Sequence, residues 1–211
     1  LMRSSGVYPL CGRGDINVYT IFAELGRCRL AFRGLMGFVL PSGIATDDTT
    51  KFYFQDLINT GSLVSLFDFE NKGIFPAVDS RMKFCLFTCG SGRGVPAGRK
   101  PGQAADFVFY AHEMADIQDE TRRFTLTGED IKRLNPNSET CPILRFRSDA
   151  TLMNAIYMRV PALAIESYSG GDEWRCRLLQ MFHMTNDGPL MKTQVDLEEL
   201  GATGKGRLYF T

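Results

Sequence analysis

Three short apolar runs, parted by helix-forming and turn-forming segments, constrain this chain most. Leu35-Met36-Gly37-Phe38-Val39-Leu40 is apolar throughout and stops at Pro41-Ser42-Gly43. A continuous run of this kind suits a strand buried on both faces, as in a parallel sheet. Leu63-Val64-Ser65-Leu66-Phe67-Asp68-Phe69 is a second run, and residues 82–88 are a third. Between the first two, Thr46-Asp47-Asp48 offers caps for a helix through about Ile58. Phe52, Phe54, Leu57 and Ile58 form its expected apolar side, and Gly61 stops it. Strand, helix and strand in this span predict a βαβ unit with a right-handed crossover. The loop to the third run holds Gly73, Pro76 and Asp79 and is too short for a crossover helix. The third strand is therefore expected antiparallel to the second. The predicted fold class is α/β, a sheet with an antiparallel edge hairpin.

Upstream, Asp15 is placed to cap a helix over 15–32, with Ile16, Tyr19, Phe22 and Ala23 at helical spacing. Downstream, 90–103 is Gly-, Ser-, Pro- and Lys/Arg-rich and predicts a flexible basic loop. Strands are expected at 106–111 and 124–127, then a short helix from Thr127-Gly128-Glu129-Asp130 that ends before Asn135. Ser148 and Asp149 can cap a helix to about Tyr157. A long strand is expected over 175–184 and a final helix over about 195–200. The predicted organisation is an α/β region at 1–90, the basic loop at 91–103 and a smaller α+β region at 104–211.

Lys+Arg 24 balances Asp+Glu 24, so net charge does not announce a nucleic-acid binder. Yet Arg81, Lys83, Arg93, Arg99 and Lys100 fall between residues 81 and 103 with no acid among them. They are the candidate DNA-phosphate contacts, which would be salt-sensitive and read no sequence. No run reaches the ~18–20 apolar residues of a membrane helix, and no signal-peptide core follows Leu1. The six cysteines form no tight ligand pairs. Reduced core thiols are expected, which points to the cytoplasm. The chain starts without Met and stops in the apolar run Leu208-Tyr209-Phe210. Both ends read as cuts in a longer parent.

Several motifs resolve to plain structure. Gly90-x-Gly92-x-Gly94 follows a strand, but Pro96, Gly98 and Pro101 prevent the helix that a dinucleotide loop needs. Arg13-Gly14-Asp15 reads as a turn and a cap. Asn135-Pro136-Asn137 starts like the Asn-Pro-Pro-aromatic motif of amino-group methyltransferases, but it follows a helix and lacks the second proline and the aromatic residue. His183, among apolar residues, reads as a packed or hydrogen-bonded strand histidine. No Gly-x-Ser-x-Gly elbow is present.

What remains is an ordered constellation: Gly12-Arg13-Gly14-Asp15-Ile16-Asn17-Val18-Tyr19, Phe38-Val39-Leu40-Pro41-Ser42-Gly43, Leu66-Phe67-Asp68-Phe69-Glu70-Asn71, Ile74-Phe75-Pro76 and Lys83-Phe84-Cys85-Leu86-Phe87-Thr88. Further pieces follow at Leu134-Asn135-Pro136-Asn137, Cys141-Pro142-Ile143, Arg147-Ser148-Asp149-Ala150 and Met181-Phe182-His183-Met184-Thr185-Asn186-Asp187. This order and spacing resembles the C-terminal half of the catalytic domain, and the segment after it, in adenine-N6 DNA methyltransferases of the large single-chain restriction–modification type. The likeness spans nearly the whole chain. It implies a partial Rossmann-like methyltransferase sheet, S-adenosylmethionine as cofactor in the parent, duplex DNA as partner, and a 104–211 extension leading toward a target-recognition domain.

The resemblance also implies residue roles. Phe75 is the aromatic that packs on an adenine flipped from the duplex. Phe22 packs on the cofactor's adenine, with Asn17 and Tyr19 beside it. Pro41 ends a central strand near the active edge. Phe32-Arg33-Gly34 departs from the family's usual Pro-Gly-Gly. The family's glycine-rich cofactor motif and its Asn-Pro-Pro-aromatic motif are missing from these residues, so the chain alone is expected to be inactive. The competing readings are a non-catalytic DNA-binding or specificity module, with Arg145 and Arg147 as candidate contacts, and a structural interaction domain.

Overall fold

The computed structural model describes residues 5–100, 102–163, 174, 181, 183, 185–205 and 208–210. The chain divides into two units, Leu1–Glu173 and Trp174–Thr211. Five strands form one sheet in the first unit: β1 (Leu35–Pro41), β2 (Leu63–Glu70), β3 (Lys83–Gly90), β4 (Ala105–Ala111) and β5 (Phe124–Leu126). Their order is β1-β3-β2-β4-β5. β3 runs antiparallel to both β1 and β2, β2 is parallel to β4, and β5 is antiparallel to β4. The fold class is α/β, an open mixed sheet with an antiparallel hairpin.

The predicted β2–β3 hairpin is present, but its second strand corrects the expected edge position. β3 inserts between β1 and β2, so the two strands of the βαβ unit are parallel without being neighbours. The physical reason is in β3 itself. Cys85, Phe87 and Cys89 are buried on one face, while Phe84 and Leu86 pack on the other. A strand apolar on both faces loses least in a sheet interior. The edges fall to β1 and to the short β5.

Helices α1 (Val18–Arg29), α3 (Lys51–Asn59), α4 (Gly128–Leu134) and α5 (Arg147–Tyr157) accompany the sheet. The larger core joins Ile21, Tyr53, Leu57, Leu66, Phe87 and Phe107. A smaller cluster of Phe69, Val108, Ala111 and Ile117 is separate from it. α1 starts later than the expected Asp15, because Asn17 is its N-cap and the Asn17 carbonyl accepts the amides of Thr20 and Ile21. The helix expected from Thr46 is broken into α2 (Gly43–Thr46), a turn of 3-10 helix at Asp48–Thr50, and α3. The later start rotates the buried side. Tyr53 is 0% exposed, whereas Phe52 turns outward under Arg13 and Lys51.

Arg27 ties three elements together. It is 6% exposed. Its guanidinium pairs with Asp56, donates to Thr60 Oγ1 and Ser62 Oγ at 3.0 Å each, and reaches the Gly90 carbonyl at 3.3 Å. Close approach also explains the glycines of 90–94. A Cβ on Gly90 would lie 2.6 Å from Pro96 Cγ, and one on Gly94 would lie 2.9 Å from the Phe32 ring. Gly92 has φ +73 and lies against the Arg27 guanidinium. Gly92→Ala is expected to cost about 1–3 kcal/mol through strain and displacement of Arg27. A urea-unfolding midpoint no lower than the parent's would contradict that packing role.

Asn135-Pro136-Asn137 follows α4 as a turn, with Asn135 as its C-cap. The described cysteines Cys11, Cys28, Cys85, Cys89 and Cys141 are free thiols. Burial pushes the Cys89 thiol up to about 11, which leaves it inert at neutral pH. Cys176 lies outside the described residues. Among the described residues no helix is long and apolar enough to cross a membrane.

The second unit holds α6 (Gln194–Glu199) behind a Thr193–Asp196 capping box, and the antiparallel pair β6 (Thr203–Lys205) and β7 (Leu208–Phe210). Most of the strand expected over 175–184 lies outside the described residues. His183 itself is in neither helix nor strand. Its Nδ1 accepts the Asn186 amide at 3.1 Å.

Candidate nucleic-acid interface

The parallel strands β1, β2 and β4 all end at one rim of the sheet, the end where open α/β sheets bind ligands. The β2–β3 loop rises from that rim and carries Phe75, which is 42% exposed. Asn71 holds the loop from inside and is 1% exposed. Its Oδ1 accepts the Phe75 amide at 2.8 Å. Its Nδ2 donates to the carbonyls of Phe75 at 3.0 Å, Val78 at 2.9 Å and Asp79 at 3.4 Å. The Phe75 ring stands edge-on to Phe84, with centroids 4.9 Å apart, and Phe84 in turn stacks on Phe69 at 5.2 Å. The loop thus presents a flat ring on a rigid base.

Lys83 precedes Phe84 in β3, so it points to the other face of the sheet. There Asp68, 2% exposed, accepts the Ser42 hydroxyl on Oδ1 and the Tyr110 amide at 3.1 Å on Oδ2. Tyr110 sits in a register shift of β4, where Phe67 faces Val108 and Phe69 faces Ala111. Its φ is 58°, in the left-handed region. Such a conformation costs about 1–3 kcal/mol for a residue with a side chain and persists only where neighbours over-determine it. Here they do. Asp68 holds the Tyr110 amide, and Arg122 Nη2 donates to the Tyr110 carbonyl at 2.6 Å. The Lys83 ammonium lies 3.9 Å from the Tyr110 ring centroid, and the Arg145 guanidinium lies 5.1 Å from it. Beside this cluster, His112 Nε2 meets Glu70 Oε2 at 2.8 Å. That hydrogen bond is the main cause holding the Glu70 carboxyl below its ordinary value.

The rim brings some predicted residues together and leaves others apart. α1 runs antiparallel to β1. Arg27, near its end, meets Gly90, which is the ladder partner of Leu35. Tyr19, near its start, sits close enough to Asp47, beyond β1, to feel its charge. Burial first, and then Asp47, raise the Tyr19 hydroxyl to about 12. The α1 start therefore lies at the rim end. Asn17 is exposed there and its side chain makes no capping bond. Phe22 is 59% exposed, one turn beyond Val18. Phe22 and Asn17 are thus both exposed along the first turns of α1. Pro41 ends β1 opposite Phe84.

The five basic candidates do not form one patch. Lys83 and Arg81 are at the rim, and Arg81 forks onto Asp79 at 2.6 Å. Arg93, Arg99 and Lys100 follow Gly90, at the opposite end of β3. A strand of that length separates the groups by roughly 20–25 Å. Arg93 donates to the Leu30 carbonyl, and Arg99 to the carbonyls of Gln103 at 2.8 Å and Ala104 at 2.7 Å. Arg147 donates to the Arg123 carbonyl at 2.9 Å. The 91–103 loop is thus held at several points.

No protein-family model matches the chain, and no curated protein does. Among solved structures, it is similar to the methyltransferase subunit of a type I restriction–modification system from Streptococcus thermophilus. Identity is 15% and the TM-score 0.46, over 65% of this chain and 34% of that one. The chain therefore spans about a third of that subunit's length.

Proposed function

We propose that this chain is part of a site-specific DNA methyltransferase of a restriction–modification system, one that moves a methyl group from S-adenosylmethionine to adenine N6 in duplex DNA. The observation that supports the reading is Phe75: an exposed ring on a loop clamped by Asn71, at the end of the sheet where the parallel strands finish. A ring so held stacks a flipped base, an interaction of about 1–3 kcal/mol. S-adenosylmethionine supplies the methyl group when bound. Phe22 and Asn17 would hold one side of its adenosine. Neither the glycine-rich cofactor loop nor the Asn-Pro-Pro-aromatic motif is among the 211 residues, so in this reading transfer belongs to a protein that joins those motifs to these residues, and the 211 residues by themselves would be inactive. Arg81 and Lys83, at the rim, would contact the duplex backbone. Arg93, Arg99 and Lys100 would meet it only along its extension beyond the sheet.

The test is methyl transfer from S-adenosylmethionine to duplex DNA by the parent, with its upstream segment present. Phe75→Ala is expected to reduce kcat/KM roughly ten- to hundred-fold, from the stacking energy. Transfer undiminished by the substitution would keep the enzyme and remove Phe75 from the base pocket. Folded parent that binds DNA and never methylates it would favour the specificity-module reading.

A further inference from the structure

We infer that Lys83 and Arg145, ordered on the ring of Tyr110, form a receptor for a backbone phosphate of nucleic acid, a proposal that rests on the DNA reading above. Two cations share one aromatic ring, at 3.9 Å and 5.1 Å from its centroid. Among the described residues neither is in an ion pair. The nearest acid in the ladder is Glu70, the cross-strand partner of Lys83; it feels the Lys83 charge, but its closer contacts are His112 at 2.8 Å and Lys72 at 3.9 Å. An anion at the edge of the ring would draw on both charges. The ring orients both side chains before any anion arrives. The pairing of a forked guanidinium with a compact ammonium matches a phosphodiester, whose oxygens accept from both.

The backbone beneath supports a purpose beyond packing. Tyr110 is a non-glycine residue at φ 58° in a register shift, pinned by the buried Asp68 on its amide and by Arg122 on its carbonyl. Bulges of this kind re-aim a side chain. Here the re-aimed ring stands at the carboxyl ends of the strands, on the face opposite Phe75. A duplex nucleotide stacked on Phe75 would carry its backbone across the same rim.

The test measures binding of the 211-residue chain to a mixed-sequence DNA duplex by fluorescence anisotropy over a range of salt concentrations. Lys83→Gln and Arg145→Gln are each expected to lower the slope of log affinity against log salt by about one, and the double variant by about two. Tyr110→Leu keeps both charges, and it is expected to weaken binding several-fold at low salt. Lys132→Gln, on α4 away from the rim, is expected to leave the slope unchanged. Arg145 is exposed, so its variant folds and its slope alone decides the matter. Salt-dependent binding whose slope the double variant leaves intact overturns the receptor and spares the DNA reading. Wild-type chain that shows no salt-dependent binding overturns the receptor, and the DNA reading is then decided by the methyl-transfer assay.

Discussion

Asn71→Ala is expected to destabilise the first unit by about 3 kcal/mol, because each buried hydrogen bond lost contributes about 1 kcal/mol and a buried vacancy is left. Asn71 is 1% exposed and serves one amide and three carbonyls of the loop that carries Phe75. Among the described residues no other side chain supplies that set. In the parent, methyl transfer is expected to fall at least as far as with Phe75→Ala, since the ring would remain but lose its platform. Denaturant midpoints and amide exchange at Phe75 measure the first effect, and kcat/KM the second. A midpoint shift below about 0.5 kcal/mol, the level of an ordinary surface substitution, would mean the loop is held some other way.

Arg27→Met should cost about 3–5 kcal/mol, the usual loss when one member of a buried ion pair goes. The lower end is expected, because the Asp56 side chain is 38% exposed and recovers water. The remaining loss comes from Thr60 Oγ1, Ser62 Oγ and the Gly90 carbonyl, which lose a shared donor. A double-mutant cycle with Asp56→Asn separates the two contributions. The coupling is expected near 1 kcal/mol, in the range of part-exposed pairs. A coupling that accounts for the whole loss would contradict the shared-donor account.

The elements whose signal is local were legible in the sequence. β1, β2 and β3 announce themselves as apolar runs, and α4 by Thr127 and Asp130. What is non-local was not legible. Nothing in Lys83–Gly90 says which two strands it separates, because ladder pairing is settled by the competition among all strands. The α3 start moved because Thr50 Oγ1 bonds the Gly43 carbonyl at 2.6 Å, a contact that only the turn creates. Among the residues of the β2–β3 loop, Phe75 was singled out by motif order, whereas Asn71 was only part of a motif. Tyr110 gave no signal at all. Its left-handed backbone is imposed by Asp68 and Arg122, from other parts of the chain. The run of basic residues looked like one feature, until β3 set its two halves at opposite ends of the sheet.

The inserted strand also sets an order of events during synthesis. β1 is complete at Pro41, but among the described residues its ladder partner is β3, which ends at Gly90. At ~5–20 residues per second, β1 waits on the order of seconds before it can pair. β2 emerges in between and runs parallel to β1, yet must leave a gap of one strand's width. The first unit able to close is therefore the β2–β3 hairpin, with β1 zipped onto it afterwards and Arg27 reaching Gly90 only then. Nascent chains halted before Gly90 should hold a hydrophobic strand with neither neighbour, which makes that interval the one where a holding chaperone matters most.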